Sequence, residues 1–198
     1  MKIKTITHSR PGYEEHFIHA CKEVNDDPES MFKKSSIIVR DLGCLIVSQE
    51  IFGVSNRKGW GFEKLQQAFG EIRWPVTWIE EGAEDDASLF GMHIWAVSGI
   101  PVEPIDLDGR VIGTFFEDIH ARTCRLGGLL PTAGEPAQDR QARLVLDGMK
   151  TALETVGMDF SRVVRTWFFN RDILAWYETF NKTRDAFFLE QGLSLIHI

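Results

Sequence analysis

The segment from Pro136 to Phe188 constrains the fold most, because its hydrophobic period changes from that of a helix to that of a strand and back. Pro136 favours the start of a helix, and Gly157 is placed to end it. Residues 161–169 then alternate with the period of two that is typical of a strand. Asp172 is suited to cap a second helix. The first helix is predicted to bury Ala142, Val145, Met149, Leu153 and Val156, and the second Ile173, Tyr177, Phe180, Arg184, Phe187 and Phe188.

Residues 13–70 show the same order of helix, strand and helix, so an internal pseudo-repeat is predicted. Residues 36–52 are rich in Ile and Val, and the Asp41-Leu42-Gly43 sequence leaves open a hairpin or one long bulged strand. An edge segment at 74–78, an acidic loop at 80–86 and an apolar strand at 89–98 follow. The two helices of this copy are predicted from Tyr13, Phe17, Ala20, Cys21 and Val24, and from Phe62, Leu65 and Phe69.

The region between the two copies contains strong turn signals. Residues 99–104 hold two prolines and are predicted to be a linker. Asp108-Gly109 predicts a two-residue hairpin turn between strands at 104–107 and 110–116. A further strand at 120–126 is predicted to end at Gly127-Gly128, where glycine permits close approach and leaves backbone N–H groups for an anion.

Composition excludes several classes of protein. The net charge of −7 without a basic patch argues against nucleic-acid binding, whereas 43% apolar and 11% aromatic residues can build a core. Three cysteines at no ligand spacing are typical of reduced thiols in a cytosol. No stretch is long and apolar enough to span a membrane, and residues 1–10 predict no leader. A soluble, cytoplasmic protein is therefore expected.

Three possible reactive groups receive structural interpretations. His16 and His19, one helical turn apart, are interpreted as a solvated helix flank rather than metal ligands. Cys124 beside Arg125 is interpreted as a packed thiol. The Asp106-Leu107-Asp108-Gly109 sequence lacks the spacing of a calcium loop and is interpreted as a turn. Trp167, Trp176 and Tyr177 are predicted to lie in the core rather than to line a pocket.

Two motifs in the second half resemble the RidA (YjgF) superfamily. They are the Gly-Gly-x-x-Pro strand end at 127–131 and the Asn-x-x-x-x-x-Phe-Phe helix at 181–188, with a helix and a strand between them. The resemblance covers residues 110–192, and the two-part layout also resembles the chorismatases. It implies an α+β, chorismate-mutase-like mixed sheet with helices on one face, trimers of the full-length protein, and hydrolysis of enamines and imines of small carboxylates without a cofactor or metal.

The resemblance also implies site residues. Gly128 stands at the family's cleft glycine and Asn181 at its cleft asparagine, so both are predicted to bind the substrate. Arg184 is predicted to add a carboxylate contact, although the family often has an aromatic residue there. The family's arginine, which holds the substrate carboxylate, has no counterpart after Gly192, and Val76 replaces it in the first copy. No catalytic residue is assigned.

The predicted organisation is a degenerate RidA-like unit at 1–100, a truncated RidA-like unit at 105–192, and a foreign tail at 193–198. The predicted function is that of an enamine or imine deaminase acting on substrates such as 2-aminoacrylate. Two alternatives stay open, a chorismatase-like hydrolase and a non-catalytic RidA-like protein that binds a small carboxylate.

Overall fold

A computed structural model describes residues 1–23, 26–80 and 89–193. These residues form a mixed α+β structure with eight strands and four helices longer than one turn. The chain divides into two compact units, Met1–Gly128 and Leu129–Ile198.

The first unit is built on a five-stranded mixed sheet. Its strands lie in the order β1-β2-β5-β3-β4, and every neighbouring pair is antiparallel except β3 and β4, which are parallel. The parallel pair is joined through a helix, as parallel neighbours require a crossover. The strands are β1 (Lys2–Arg10), β2 (Tyr13–Cys21), β3 (Leu45–Gly53), β4 (Val76–Glu80) and β5 (Leu89–Ser98).

Two helices, α1 (Pro28–Asp41) and α2 (Lys58–Phe69), pack on the same face of this sheet. The Asp27 carboxylate caps α1 by accepting the Glu29 N–H at 3.1 Å, and Pro28 supplies the fixed φ of a first helical turn. Alternate residues of the strands point toward the helices, and these form the main core. Its fully buried members include Ile18, Phe32, Ile51, Leu65 and Met92.

A second, three-stranded sheet completes the first unit, with β6 (Glu103–Leu107), β7 (Arg110–Glu117) and β8 (Arg122–Leu126) in that order. Asp108 and Gly109 have φ of 54° and 75°, as a type I′ turn requires. The Asp106 carboxylate accepts the Gly109 N–H at 2.8 Å. The predicted hairpin and the interpretation of this sequence as a turn are confirmed.

The small sheet is fastened to β3 by a buried hydrogen bond. The Thr114 hydroxyl on β7 donates to the Val47 carbonyl at 2.7 Å. Val47 is skipped in the pairing of β3 with β5, because the register shifts between Ile46 and Ser48. Such a bulge leaves its extra residue without a ladder partner, so Thr114 supplies the missing donor. A second core forms there from Val47, Val97 and Phe116, with Tyr13 and Trp95 packed against it.

The second unit is a pair of helices, α3 (Gln138–Thr155) and α4 (Ile173–Glu190). Their contact buries Leu146 and Phe187, and Phe160 from the connecting segment packs edge-on to Phe187 at 4.8 Å between ring centroids. Arg143 ties the helices together by donating to Glu190 of α4 at 2.8 Å, and it also donates to Asp147 within α3 at 3.0 Å. Both predicted helices are confirmed, and Gly157 lies just beyond α3 with φ of 69°.

The predicted helix over Tyr13–Val24 is wrong, since Tyr13–Cys21 is strand β2 and Val24 lies outside the described residues. His16, Ile18 and Ala20 are buried in alternation with Phe17 and His19. Large residues on both faces of a central strand satisfy helical spacing by coincidence.

Both alternatives for residues 36–52 are also wrong. The first part of this segment completes α1, Gly43 turns the chain with φ of 59°, and β3 follows. The order of helix, strand and helix therefore exists in the first unit as α1, β3 and α2. The kinship of the two copies remains a prediction.

The predicted strand at 161–169 does not form. Phe160–Arg162 is one turn of 3₁₀ helix, and residues 163–170 pair with no strand of the described chain. Val164 is fully exposed. Asp172 precedes α4 in the left-handed region, at φ of 48°, and makes no capping bond with its side chain, so the predicted cap is wrong. Alternating apolar residues form a strand only where they pair with another strand, and residues 163–170 have no such pairing in the described chain.

Several other segments agree with the sequence. The second helix of the first copy is α2, residues 76–80 form an edge strand, and 89–98 form β5, which lies inside the sheet rather than ending it. Most of the predicted acidic loop lies outside the described residues. The division into compact units falls after Gly128, whereas the linker was predicted at 99–104, because β6–β8 pack on β3. The boundary between ancestral copies stays a prediction.

Loss of the Thr114 hydroxyl is expected to destabilise the first unit. Thr114→Val keeps the shape but leaves the buried Val47 carbonyl without a donor, at a cost of about 1–3 kcal/mol. Thr123→Val on β8 is the control, because Thr123 is only partly buried, and it is expected to change stability by less than about 0.5 kcal/mol. Urea unfolding of the full chain measures both, and equal effects would contradict the role given to Thr114.

Candidate functional site

Four residues of the first unit meet on the sheet face opposite α1 and α2, and we call them the polar junction: Glu50, Thr77, Arg125 and Gly128. Glu50 and Thr77 are directly opposite each other on β3 and β4. Arg125 on β8 donates from Nη2 to Glu50 Oε1 at 3.0 Å. The Gly128 N–H donates to Thr77 Oγ1 at 2.9 Å. The end of β8 is thus bound to both β3 and β4.

The double glycine at the end of β8 has a packing reason. A Cβ at Gly128 would lie 2.6 Å from the Val76 carbonyl oxygen, and Gly128 has φ of +65°. A Cβ at Gly127 would lie 2.9 Å from Thr77 Oγ1. The Gly127 N–H donates to the Ile112 carbonyl at 2.9 Å, so both glycine N–H groups are already bonded within the chain. The predicted anion cradle is therefore not formed by these two groups, and substrate binding at Gly128 remains a prediction.

Arg125 keeps a polar atom without a partner. Its Nε is buried, and no acceptor within the described residues receives its hydrogen. The side chain as a whole is 36% exposed, and that of Glu50 is 19% exposed. Arg125 is therefore a cation that reaches solvent while one of its donors stays unsatisfied.

Two histidines lie beside the polar junction on the same sheet face. His19 and His93 are directly opposite on β2 and β5, with ring centroids 4.5 Å apart, and Glu50 is opposite His93 on β3. Burial and then the nearby His19 lower the pKa of His93, while Glu50 acts in the other direction. The neutral imidazole of His93 is thus favoured in the folded protein.

The predicted solvated helix flank at His16 and His19 is wrong, because both residues lie on β2. Residues three apart on a strand point to opposite faces. His16 is buried, with Nδ1 3.0 Å from Thr7 Oγ1 and Nε2 3.0 Å from Ser98 Oγ. The described ranges hold no group of three or more His, Cys, Asp or Glu side chains arranged to bind a metal.

The cysteine on β8 has no nucleophilic environment. Burial raises the pKa of Cys124 to about 11, so its thiolate is scarce at neutral pH. The interpretation of Cys124 as a packed thiol is confirmed.

In the second unit, Asn181 and Arg184 lie on α4 and differ in how well they are satisfied. Asn181 Oδ1 is buried and accepts no hydrogen bond from the described residues. Arg184 donates to the neighbouring Asp185 from Nε at 2.9 Å and from Nη2 at 2.7 Å. The Arg184 guanidinium is thus already paired with a carboxylate of the chain, and its predicted contact with a substrate carboxylate remains a prediction.

A groove of about 380 Å³ runs between α3 and α4, but neither Asn181 nor Arg184 lines it. Its lining residues are Asp139, Arg140, Arg143, Lys182, Thr183 and Ala186. The prediction that the aromatic side chains of this unit are core residues is wrong for two of three, since Trp167 and Tyr177 are each 57% exposed. Trp176 packs edge-on to Phe180 at 5.5 Å and donates to the Arg171 carbonyl.

The pairing of Arg125 with Glu50 was not predicted from the sequence. The two residues are 75 positions apart and lie in different sheets. A weak signal was available, since a charged residue at an intermediate position of an Ile- and Val-rich strand usually needs a partner.

The chain is similar in fold to a chorismatase known from a crystal structure. The TM-score is 0.61 at 11% identity, over 91% of this chain and 70% of the chorismatase chain. No family model matches, and no curated protein matches. None of the helices in the described ranges is long and apolar enough to cross a membrane. The fold is chorismatase-like, and these comparisons give no support to the RidA assignment.

Replacing Gly128 is expected to damage the polar junction beyond the ordinary cost of a left-handed residue. Gly43→Ala is the matched control, because Gly43 has φ of +59° and open space around its Cβ position. We expect Gly43→Ala to cost about 1 kcal/mol of unfolding free energy. Gly128→Ala adds the contact with the Val76 carbonyl and should cost about 2 kcal/mol more. Chemical denaturation measures both losses of unfolding free energy. Equal losses would show that the backbone at Val76 moves aside without cost and would contradict the close contact as a constraint.

The His93 environment predicts a loss of stability in mild acid. Because the folded state lowers the pKa of His93 below its usual 6.5, the unfolded chain binds its proton first as the pH falls. Stability should therefore decrease as the pH falls below this value and level off once folded His93 is protonated. His93→Gln should show a smaller decrease between about pH 7.5 and about pH 5.5, in urea unfolding. An unchanged decrease would assign the effect to other groups.

Proposed function

We propose that this protein is a chorismatase-like hydrolase that acts on a small carboxylate-bearing substrate. The observation that carries the proposal is the likeness to the chorismatase fold over 91% of the chain. A shared fold does not by itself fix a reaction.

Asn181 supports a binding role better than the other two predicted site residues. Its buried Oδ1 has no partner in the described chain, whereas Gly128 donates to Thr77 and Arg184 donates to Asp185. An unsatisfied buried acceptor costs about 1–3 kcal/mol, so proteins rarely keep one without a reason. We propose that the Asn181 side chain accepts a hydrogen bond from the substrate and helps to orient it.

Hydrolysis of a small activated substrate needs little covalent chemistry from the protein. Binding the substrate carboxylate and holding the reacting groups in a productive orientation supply much of the rate in such reactions. Asn181 has no useful proton to exchange, so it is proposed as a binding group and not as an acid or base. Enamine hydrolysis and trimer formation stay predictions.

A non-catalytic carboxylate-binding protein is the second candidate. It is favoured by one feature, namely that the three predicted site residues include no acid–base group. Under this alternative, the same Asn181 contact would hold a ligand without turnover.

The proposed reaction is tested by mixing the purified chain with chorismate and following its disappearance by chromatography. A hydrolase is expected to consume chorismate over many turnovers. A parallel reaction with freshly generated 2-aminoacrylate measures acceleration of keto-acid release. Turnover of 2-aminoacrylate alone would favour the deaminase, and binding of chorismate without turnover would favour the binding protein.

Replacing Asn181 separates a functional residue from a structural one. Asn181→Ala should reduce turnover about tenfold or more, because the substrate loses a fixed acceptor. It should leave stability unchanged or raised, since an unsatisfied acceptor is removed. Lys182→Ala is the control, because Lys182 is exposed and forms an ion pair with Glu178 at 2.8 Å on the surface of α4. Loss of stability with unchanged turnover would contradict the proposed role.

A further inference from the structure

The unpaired Nε of Arg125 marks a place where a ligand is expected. An unpaired donor on a charged group costs more than one on a neutral group, so an acceptor that reaches it gains free energy. Arg125 is set on β8, where its backbone pairs with Thr114 of β7. Thr114 is itself fixed by its bond to Val47. The guanidinium therefore extends from a strand that is held in place.

The Glu50 pairing uses only part of the guanidinium. Glu50 Oε1 accepts from Nη2 at 3.0 Å, while the adjacent Nε has no acceptor. An arginine can offer Nε and Nη2 together to both oxygens of one carboxylate, and this two-bond arrangement is stronger and more specific than a single bond. Glu50 thus shows which chemical group fits this edge of Arg125, yet it fills the edge incompletely.

We propose that Arg125 binds the carboxylate of a small ligand through Nε and Nη2, and that Glu50 is an internal competitor displaced by the ligand. The ligand class is a small organic carboxylate, because the edge offers two parallel donors and one positive charge to one carboxylate group. Thr77 Oγ1, opposite Glu50 across the β3–β4 pair, adds a hydroxyl at the same junction. The inference rests on the proposed function only for the choice of probe.

The charges at the polar junction predict the direction in which the loss of the Glu50 charge changes the affinity for the ligand. In the free protein the Glu50 carboxylate neutralises Arg125. When a ligand carboxylate takes its place, Glu50 stays nearby as a second negative charge and opposes binding. Removing the charge of Glu50 should therefore strengthen binding, whereas a purely structural ion pair would only lose stability.

The test is titration of the full chain with 2-ketobutyrate, with its uncharged methyl ester as the control ligand, by isothermal calorimetry. Arg125→Lys keeps the charge but loses the two-donor edge, so its affinity should fall about tenfold. Glu50→Gln should bind about tenfold more tightly than the wild type. Arg122→Lys is the control on the same strand, since Arg122 pairs with Glu117 at the surface, and it should leave the affinity unchanged.

A direct readout does not depend on the stability of the variants. The ¹⁵N resonance of the Arg125 Nε–H, identified by its absence in Arg125→Lys, should shift when 2-ketobutyrate is added and not when the ester is added. The proposal is overturned if this resonance moves neither in the wild type nor in Glu50→Gln when 2-ketobutyrate is added. It is also overturned if the affinity for 2-ketobutyrate is the same in Arg125→Lys.

Failure of this inference is distinguishable from failure of the proposed hydrolase. Turnover of chorismate by Arg125→Lys at the wild-type rate and KM would remove the role of Arg125 and keep the hydrolase. Binding of 2-ketobutyrate at Arg125 without turnover of chorismate would keep the carboxylate site and remove the hydrolase.

Discussion

The bulge at Val47 is the local irregularity on which the first unit depends. The bulge leaves Val47 out of the pairing of β3 with β5, so its backbone carbonyl has no partner within the large sheet. The Thr114 hydroxyl of the small sheet donates a hydrogen bond to this carbonyl. A three-stranded sheet needs an apolar face that is buried, and its attachment to β3 supplies one, with Phe116 in the shared core. Two further hydrogen bonds attach the same region to the large sheet, one from Arg125 to Glu50 and one from Gly128 to Thr77.

The same attachment explains why polar groups collect on this face. Because β8 belongs to a different sheet from β3 and β4, its side chains contact residues that are far away in the sequence. Glu50 lies between His93 of β5 and Thr77 of β4 because of the register of the large sheet, and it meets Arg125 only because β8 crosses there. The face thus acquires a cation, a carboxylate and two imidazoles without any of them adjoining another in the sequence.

Local chemistry made some elements predictable and left others hidden. The Asp108-Gly109 turn, helix α3 and β5 were predicted correctly, because turn geometry and hydrophobic period act within a few residues. Of the side chains predicted to be buried on α3, Ala142 and Leu153 are buried, whereas Leu146 was not predicted. The same rules failed at β2, which carries large side chains on both faces, and at 163–170, where apolar residues alternate without pairing to a strand. Gly128 was singled out for its backbone N–H, yet the structure uses it for close approach to Val76. The partner of Arg125 could not be predicted, because it depends on how two sheets meet.

The position of β5 inside the large sheet sets the order in which this chain can fold. β5 is the last strand of that sheet to be synthesised, but it lies between β2 and β3 and hydrogen-bonds to both. Until it arrives, β1–β2 and β3–β4 are separate pairs, each with an open edge and an apolar face. Pairing over such long separations is slow, and exposed edges attract other chains. The stage before β5 pairs is therefore the one at which unpaired strand edges of this sheet are most exposed to other chains.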